Sequence, residues 1–582
     1  MMAGYLILAS SLADPAPIPA WIRTAIADRT DLEIVIDEAG LLVATTPGPT
    51  PTKMACEGEW VLGDIFQRGT SDRAHFKSGT TTSARMDAQD LMRDYWGHYV
   101  AILRDDPTVL EIARAPFGRL PCLYTQRDGM ILIASDLALL AVAGWMPSGL
   151  DWGAIAHRLA FQNIASPTTC LSGVTELQGG TCVRIGDGAI AVTQAWTPWD
   201  HGGRRHWASD PDEAADTLRR AVTAAVRASR GDAARVLLML SGGLDSSILA
   251  ATLASQGGAF ECFNLSSQGG VGDERSYARA VASHLGAPIL EAEWDVGLVD
   301  ISRSHTAGLP NPVARSFMQG TNALLAQAIA TSGADLSIDG GAGDNVFCAL
   351  QSVAPVTDAL VRGGRLNEAW AVALSIASLA QVGVATVFTQ AIKRAFRRSP
   401  AYRWHGDTQY LASDMVSDQA IIAGHPWLQA PKGAETGTAA HIALIVAAQT
   451  WAEASDLHSP VRHASPLASQ PVVEACLRVP SWWWFENGRN RVIARKAYAA
   501  RLPAEIIERR SKGSPDGYIA ALYTANRTTI RAMLFDGRLR AAGMLDVPAL
   551  ERALGESGPL RGTAYHRLMR LADVEAWIAG RS

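Results

Sequence analysis

A chain of 582 residues is too long for one hydrophobic core, so at least two domains are expected. Apolar residues make up 48% and charged residues 19%, which fits a globular protein and excludes a low-hydropathy disordered chain. A formal net charge of -5 gives no electrostatic reason to expect nucleic acid, and the cluster Lys393-Arg394 with Arg397-Arg398 reads as a solvated helix face.

The chain opens on Tyr5-Leu6-Ile7-Leu8-Ala9, whose apolar run predicts a core strand; no basic residues precede it, so no signal peptide is expected. Short strand-like runs follow at 32–36, 41–44, 97–103, 109–113, 130–134 and 181–185, separated by Pro, Gly, Asp and Thr. The segment Trp196 to Asp210, rich in Gly, Arg and His, reads as a linker. Beyond it the pattern alternates: helix over 212–228, strand over 234–240, helix from Ile248, strand over 260–265, helix over 274–285 and strand over 335–338. Such alternation predicts a doubly wound parallel sheet. From about Val353 onward the sequence reads as mostly helical. Its most apolar stretch, 369–387, is broken by Ser375, Ser378, Gln381 and Thr386 and falls short of the ~20 residues a membrane span needs. Seven cysteines at 56, 122, 170, 182, 262, 348 and 476 lack metal or disulfide spacing and read as reduced thiols of a cytoplasmic protein.

The chemistry is concentrated where strand 234–240 ends. Leu240 runs into Ser241-Gly242-Gly243-Leu244-Asp245-Ser246-Ser247, and a helix begins at once. Two glycines let the backbone turn sharply beside a ligand, and the helix start offers N–H groups to an anion. Three serines add hydroxyls. Asp245 would repel phosphate unless a cation lies between them, which implies Mg²⁺. The loop lacks the Gly-Lys-Ser/Thr ending of a Walker A motif. It resembles the loop of PP-loop ATP-pyrophosphatases, which cleave ATP between the α- and β-phosphates. A second loop, Asp339-Gly340-Gly341-Ala342-Gly343-Asp344-Asn345, follows another short strand, and Asp344 is a candidate second carboxylate for the metal.

The whole chain resembles the asparagine synthetase family. Trp96-Gly97-His98-Tyr99, Arg114 to Pro121 and Ile133 to Asp136 look like its N-terminal domain, with Ala115 where that family has aspartate. Asp273-Glu274-Arg275, Leu502-Pro503 and Ser511-Lys512-Gly513 match the synthetase half, with Lys512 at the catalytic lysine. The resemblance implies an α/β protein. Residues 1–200 would form a β-rich class II glutamine-amidotransferase-like domain of αββα type. Residues 201–582 would form a doubly wound ATP-pyrophosphatase domain with a helical extension.

Two departures narrow this. Met2 and Ala3 stand where a glutaminase of this class carries its N-terminal cysteine, so glutamine hydrolysis is not expected. Gly341 stands where asparagine synthetases carry a glutamate, leaving room for a larger amine. Both resemble the lasso peptide cyclases, as do Gly341 to Cys348, Ser465 to Glu474, and Pro480 to Phe485 with Arg489 and Arg491. That resemblance implies a leader-free precursor peptide as substrate, a leader peptidase and a leader-binding protein as partners, and ATP with Mg²⁺ as cofactors. Catalytic roles fall to Asp245, Asp344 and Lys512, with both aspartates on the metal. Leu240, Ser241, Gly242, Gly243, Ser246, Ser247, Leu265, Asp339 and Gly340 are candidates for the nucleotide, and Gly341 and Arg315 for the substrate. Arg491 and Arg495 are further candidates near Lys512, while at least one of Trp482, Trp483 and Trp484 is expected in the core. The alternatives are a β-lactam synthetase, a glutamine-independent asparagine synthetase, or a non-catalytic scaffold that presents a peptide.

Overall fold

The structure is a computed structural model. It describes every residue except 1–3, 11–14, 16, 48–50, 55–57, 75, 77–85, 107, 128, 187–188, 268–272, 314, 364–365, 398–401, 403, 414, 416–424, 455–458, 511–512, 556–563 and 582.

Twelve described strands build two antiparallel sheets in the N-terminal part. They are β1 (Tyr5–Ala9), β2 (Glu33–Glu38), β3 (Leu41–Thr45), β4 (Thr52–Lys53), β5 (Trp60–Gln67) and β6 (Tyr95–Asp106), then β7 (Val109–Arg114), β8 (Leu123–Arg127), β9 (Met130–Ala134), β10 (Thr175–Glu176), β11 (Thr181–Gly186) and β12 (Ala189–Gln194). The sheet orders are β10-β8-β9-β1-β3-β2 and β12-β11-β7-β6-β5-β4. Alternation along each strand explains the layering. Tyr5, Ile7, Val43 and Ile133 from one sheet meet Val100, Ile102, Ile112 and Val183 from the other in a shared apolar core. The opposite faces, with Leu6, Leu8, Ala101 and Leu103, pack against helices. Helices Ala20–Ala27 and Leu137–Val142 cover the first sheet, whereas β6 is covered by Ala88–Asp94 together with Gln470–Leu477 from the far end of the chain. The αββα stack is thus completed by the C-terminal part.

Five parallel strands form the second centre: β13 (Val236–Met239), β14 (Phe260–Ser266), β15 (Ile289–Glu293), β16 (Leu336–Ile338) and β17 (Arg462–Ala464). Their order is β15-β14-β13-β16-β17. Val236 and Leu238 face the main core, while Leu237 and Phe263 face helix Met318–Ser332 through Leu325, Ala328 and Ile329. Helices therefore cover both faces, as a parallel sheet requires. The chain leaves β13 for β14 and β15, then returns to place β16 on the other side of β13. That reversal is a topological switch point, where the strand-end loops part and leave a crevice. The loops after β13 and β16 lie there side by side.

Residues 196–210 are not a free linker. Trp196 is buried, packs on Phe117 and Trp427, and donates its Nε1 hydrogen to Glu474 at 3.1 Å. Gln470 reaches the Met92 carbonyl at 2.7 Å, Gln449 the Pro116 carbonyl at 3.1 Å and Arg567 the Leu159 carbonyl at 2.6 Å. The two sheet systems share a bonded seam. No single described helix is long and apolar enough to cross a membrane.

Candidate active site

Gly242 adopts φ +71°, and a Cβ there would sit 2.6 Å from the Ala278 nitrogen and 2.6 Å from the Tyr277 Cβ. Only glycine fits both the backbone conformation and the space. After Gly243 the helix Leu244–Gln256 begins, with Asp245 in its first turn, where the helix dipole favours an anion. The serines brace the loop internally. Ser241 and Ser246 hydroxyls lie 3.2 Å apart, Ser241 accepts from the Gly243 N–H at 3.3 Å, and Ser247 donates to the Gly243 carbonyl at 2.7 Å.

The second loop is fitted onto the first. A Cβ at Gly340 would approach the Ser246 nitrogen to 2.9 Å, and one at Gly343 would approach the Asp245 Cγ to 2.5 Å. Asp245 and Asp344 consequently face a common point. Arg491 holds that point: its Nη1 donates to both Asp245 oxygens at 3.1 Å and to Asp344 Oδ1 at 2.5 Å. Burial disfavours the Arg491 charge, but the two carboxylates outweigh it and raise its pKa. Backbone strain surrounds the pair. Ala342, Cys348 and Arg491 are non-glycine residues at φ +66°, +57° and +57°, and such conformations tend to gather at functional sites.

Asp339 plays a different part from the nucleotide ligand expected. Its carboxylate accepts from the Gly341 N–H at 3.0 Å and the Ser465 hydroxyl at 2.5 Å, and lies 3.2 Å from His463 Nε2. Burial pushes the carboxyl upward, but His463, Arg119 and Ser465 reverse this and hold it below its ordinary value. Arg119, from the N-terminal part, closes the network on the His463 carbonyl at 2.8 Å and Ser465 Oγ at 2.7 Å. Asp339 therefore ties the ends of β16 and β17 together.

Leu240 sits at the end of β13. Its side chain is core, its N–H bonds the Phe263 carbonyl at 2.8 Å and its carbonyl accepts from Asn264 at 2.7 Å. Leu265 is half-buried on β14. Arg315 bonds Asn163 across the seam at 3.2 Å, and among the described residues none of its hydrogen bonds reaches the β13 or β16 loops. Lys512 lies outside the described residues. The described residues flanking it are anchored on the first loop's neighbourhood. Arg509 donates to the Gly242 carbonyl at 3.1 Å and to Glu274 at 2.6 Å, stacks on Tyr277, and shares Glu274 with the Gly513 N–H at 2.8 Å. Arg495 holds the carbonyls of Ile507 and Arg509 at 2.5 and 2.9 Å; burial, with Arg491 nearby, brings its pKa down to about 10. Trp482 and Trp484 are core, and Trp483 is half-buried. Sequence reading missed Arg509, Glu274 as an anchor, Arg119, His463 and Ser465. Arg119, Glu274 and Ser465 stand within the segments that carry the family resemblance, and Arg509 stands in a basic cluster before Lys512.

The asparagine synthase family model matches residues 214–579, more than half of the chain. No curated protein matches. Among solved structures, a glutamine phosphoribosylpyrophosphate amidotransferase from B. subtilis complexed with ADP and GMP is 10% identical, covering 59% of this chain and 77% of that one, at a TM-score of 0.21. An allosteric regulatory enzyme of purine biosynthesis is 11% identical, covering 58% and 68%, at a TM-score of 0.20. Likeness that slight carries no argument. The family match, falling on the part that bears both switch-point loops, shows that the chain belongs to the asparagine synthase family of ATP-dependent ligases, which form carbon–nitrogen bonds and convert ATP to AMP and diphosphate.

Proposed function

We propose that this ligase is a lasso peptide macrolactam synthetase. It works in the cytoplasm on a leader-free precursor peptide, alongside a leader peptidase and a leader-binding protein. One observation carries an external amine over ammonia drawn from glutamine. Cys122, Cys170 and Cys182, the described thiols of the N-terminal part, are buried, and burial pushes them up to about 11, 12 and 11. None of them can supply a thiolate nucleophile near neutral pH. Gly341 adds to this, since by resemblance it replaces the glutamate of ammonia-using relatives.

In this reading an Asp or Glu side chain of the peptide attacks the α-phosphorus of ATP, and pyrophosphate leaves. The loop N–H groups with Ser241 and Ser246 hold the phosphates, so that positioning supplies much of the rate. Asp245 and Asp344 suit a metal shared with phosphates, since Mg²⁺ commonly takes one or two carboxylates and fills its other positions from phosphate and water. Among the described residues no group of three or more His, Cys, Asp or Glu forms a self-sufficient cage. Mg²⁺, when bound, takes up charge on the departing pyrophosphate. The peptide's α-amine then attacks the acyl carbon, AMP leaves, and the amine proton passes to solvent. With an ordinary pKa of about 7.7–8.0 that amine needs little help to deprotonate. Lys512, by resemblance, neutralises the α-phosphate.

ATP–pyrophosphate exchange tests the reading. The linear core peptide is expected to stimulate exchange, and the same peptide with its acceptor acid changed to the carboxamide is not. Stimulation by aspartate alone would overturn the peptide substrate in favour of a glutamine-independent asparagine synthetase. Stimulation only by another small acid would point to a small-molecule amide synthetase such as a β-lactam synthetase.

A further inference from the structure

Arg491 is built into the carboxylate pair more tightly than a neighbouring surface arginine would be. One nitrogen, Nη1, serves both Asp245 and Asp344, from a side chain only 9% exposed. Its Nε makes only a long contact to Asn490 at 3.4 Å, and no hydrogen bond of Nη2 is found among the described residues. The backbone is held at φ +57°, ψ +32°, immediately before helix Val492–Tyr498, in a conformation that side-chain-bearing residues seldom adopt. The helix that follows is fixed in turn by Arg495, through the Ile507 and Arg509 carbonyls.

We propose that Arg491 is a resident cation of this pair in the nucleotide-free enzyme, and that it yields Asp245 and Asp344 to the divalent cation arriving with ATP. The inference rests on the reading of those two aspartates as metal ligands. Two carboxylates facing one point repel, and a guanidinium between them offsets that repulsion and holds them aligned before substrate binds. Nη1 occupies the point that both carboxylates face, so a metal bound at that point displaces it. A displaced guanidinium remains beside the site, and its planar fork matches phosphate oxygens. The exchange makes bare metal a poor ligand and nucleotide-bound metal a good one, which ties metal loading to substrate arrival. Arg491 is thus a positioning residue for the metal and the phosphates.

The test is Mn²⁺ binding to nucleotide-free enzyme, read by electron paramagnetic resonance. Arg491→Gln removes the competing charge and is expected to tighten Mn²⁺ binding by about tenfold or more, while Arg491→Lys, which keeps a cation, stays within about threefold of the unaltered enzyme. Unchanged or weaker Mn²⁺ binding in a folded Arg491→Gln protein would overturn the proposal. The double variant Asp245→Asn/Arg491→Gln separates this from failure of the underlying reading. If the double variant binds Mn²⁺ as tightly as Arg491→Gln, Asp245 is no metal ligand and the site assignment fails. If binding depends on Asp245 but not on Arg491, only the resident-cation proposal fails. Should Arg491→Gln not fold, a crystal structure of the unaltered enzyme with Mg²⁺ and a non-hydrolysable ATP analogue decides. Arg491 Nη1 is expected to have left both carboxylates, and its retention on them would contradict the proposal.

Discussion

The two β-centred regions of this chain handle polar groups in opposite ways. Between the N-terminal sheets the core is apolar and its thiol, Cys122, is buried and protonated. At the switch point of the parallel sheet, Asp245, Asp344 and Arg491 converge as charges. Strain divides in the same way: all six described non-glycine residues with positive φ, from Ala342 to Arg491, lie in the C-terminal part. One region is relaxed and sealed, and the other gathers strained backbone and converging charges at the switch point. The contrast argues that the first region now supports the second, through Arg119 and the Glu474 seam.

The sharpest way to break this comparison is to alter one residue in each region. Asp245→Ala is expected to lower ATP–pyrophosphate exchange by about 10³-fold, the scale on which preorganised electrostatic groups act. Cys122→Ala is expected to leave exchange within about twofold and to cost about 1 kcal/mol of stability for the lost packing. A large loss of exchange with Cys122→Ala would mean that the N-terminal region retains chemistry of its own.

Acid acts on both regions, since burial lowers His98 of the N-terminal part to about 4 as well. His425 and His441 are both buried in the C-terminal part, and burial lowers each to about 4. Their folded pKa lies below the unfolded value of 6.5, so the stability they confer is complete above that value and is lost as pH falls toward 4. For His441 the full loss is about 3 kcal/mol. Urea unfolding between pH 7.5 and 4.5 should show this decline, and His441→Gln, which keeps a donor for the Val346 carbonyl, should flatten it. An unchanged slope would mean that His441 takes up its proton alike in the folded and unfolded chain, against the lowering by burial.

Cutting the tie between the regions should have a smaller effect. Arg119→Met strands buried acceptors on His463 and Ser465, at about 2 kcal/mol, and is expected to raise the KM for ATP more than it lowers kcat. The smallest effect belongs to exposed apolar residues outside both centres. Phe396, 82% exposed on helix Val384–Arg397, should tolerate Phe396→Ser within about 0.5 kcal/mol by thermal unfolding.

Much of this was legible in the sequence because strand ends rich in Gly, Ser and Asp are unusual. The runs before Ser241 and Asp339 announce parallel strands, and their loops announce an anion with a cation. What stayed hidden depends on distance along the chain. Arg491 meets Asp245 across 246 positions and Asp344 across 147, a coincidence only the strand order creates. β17 is Arg462-His463-Ala464, too short and too polar to show periodicity, so it was absorbed into a helical reading. Trp196 to Asp210 looked like a linker on composition, yet Trp196 is anchored by Glu474, 278 positions away. The partners of Leu240 and Asp339 stayed hidden for the same reason, since they lie on other strands.

The most direct measurement is the fate of ATP when the enzyme turns over with Mg²⁺ and the linear core peptide. Formation of one AMP and one pyrophosphate per peptide ring closed, abolished by Asp245→Ala, is the expected result. Release of ADP and phosphate, or ring closure that continues without Asp245, would contradict carboxylate activation at the switch-point loop.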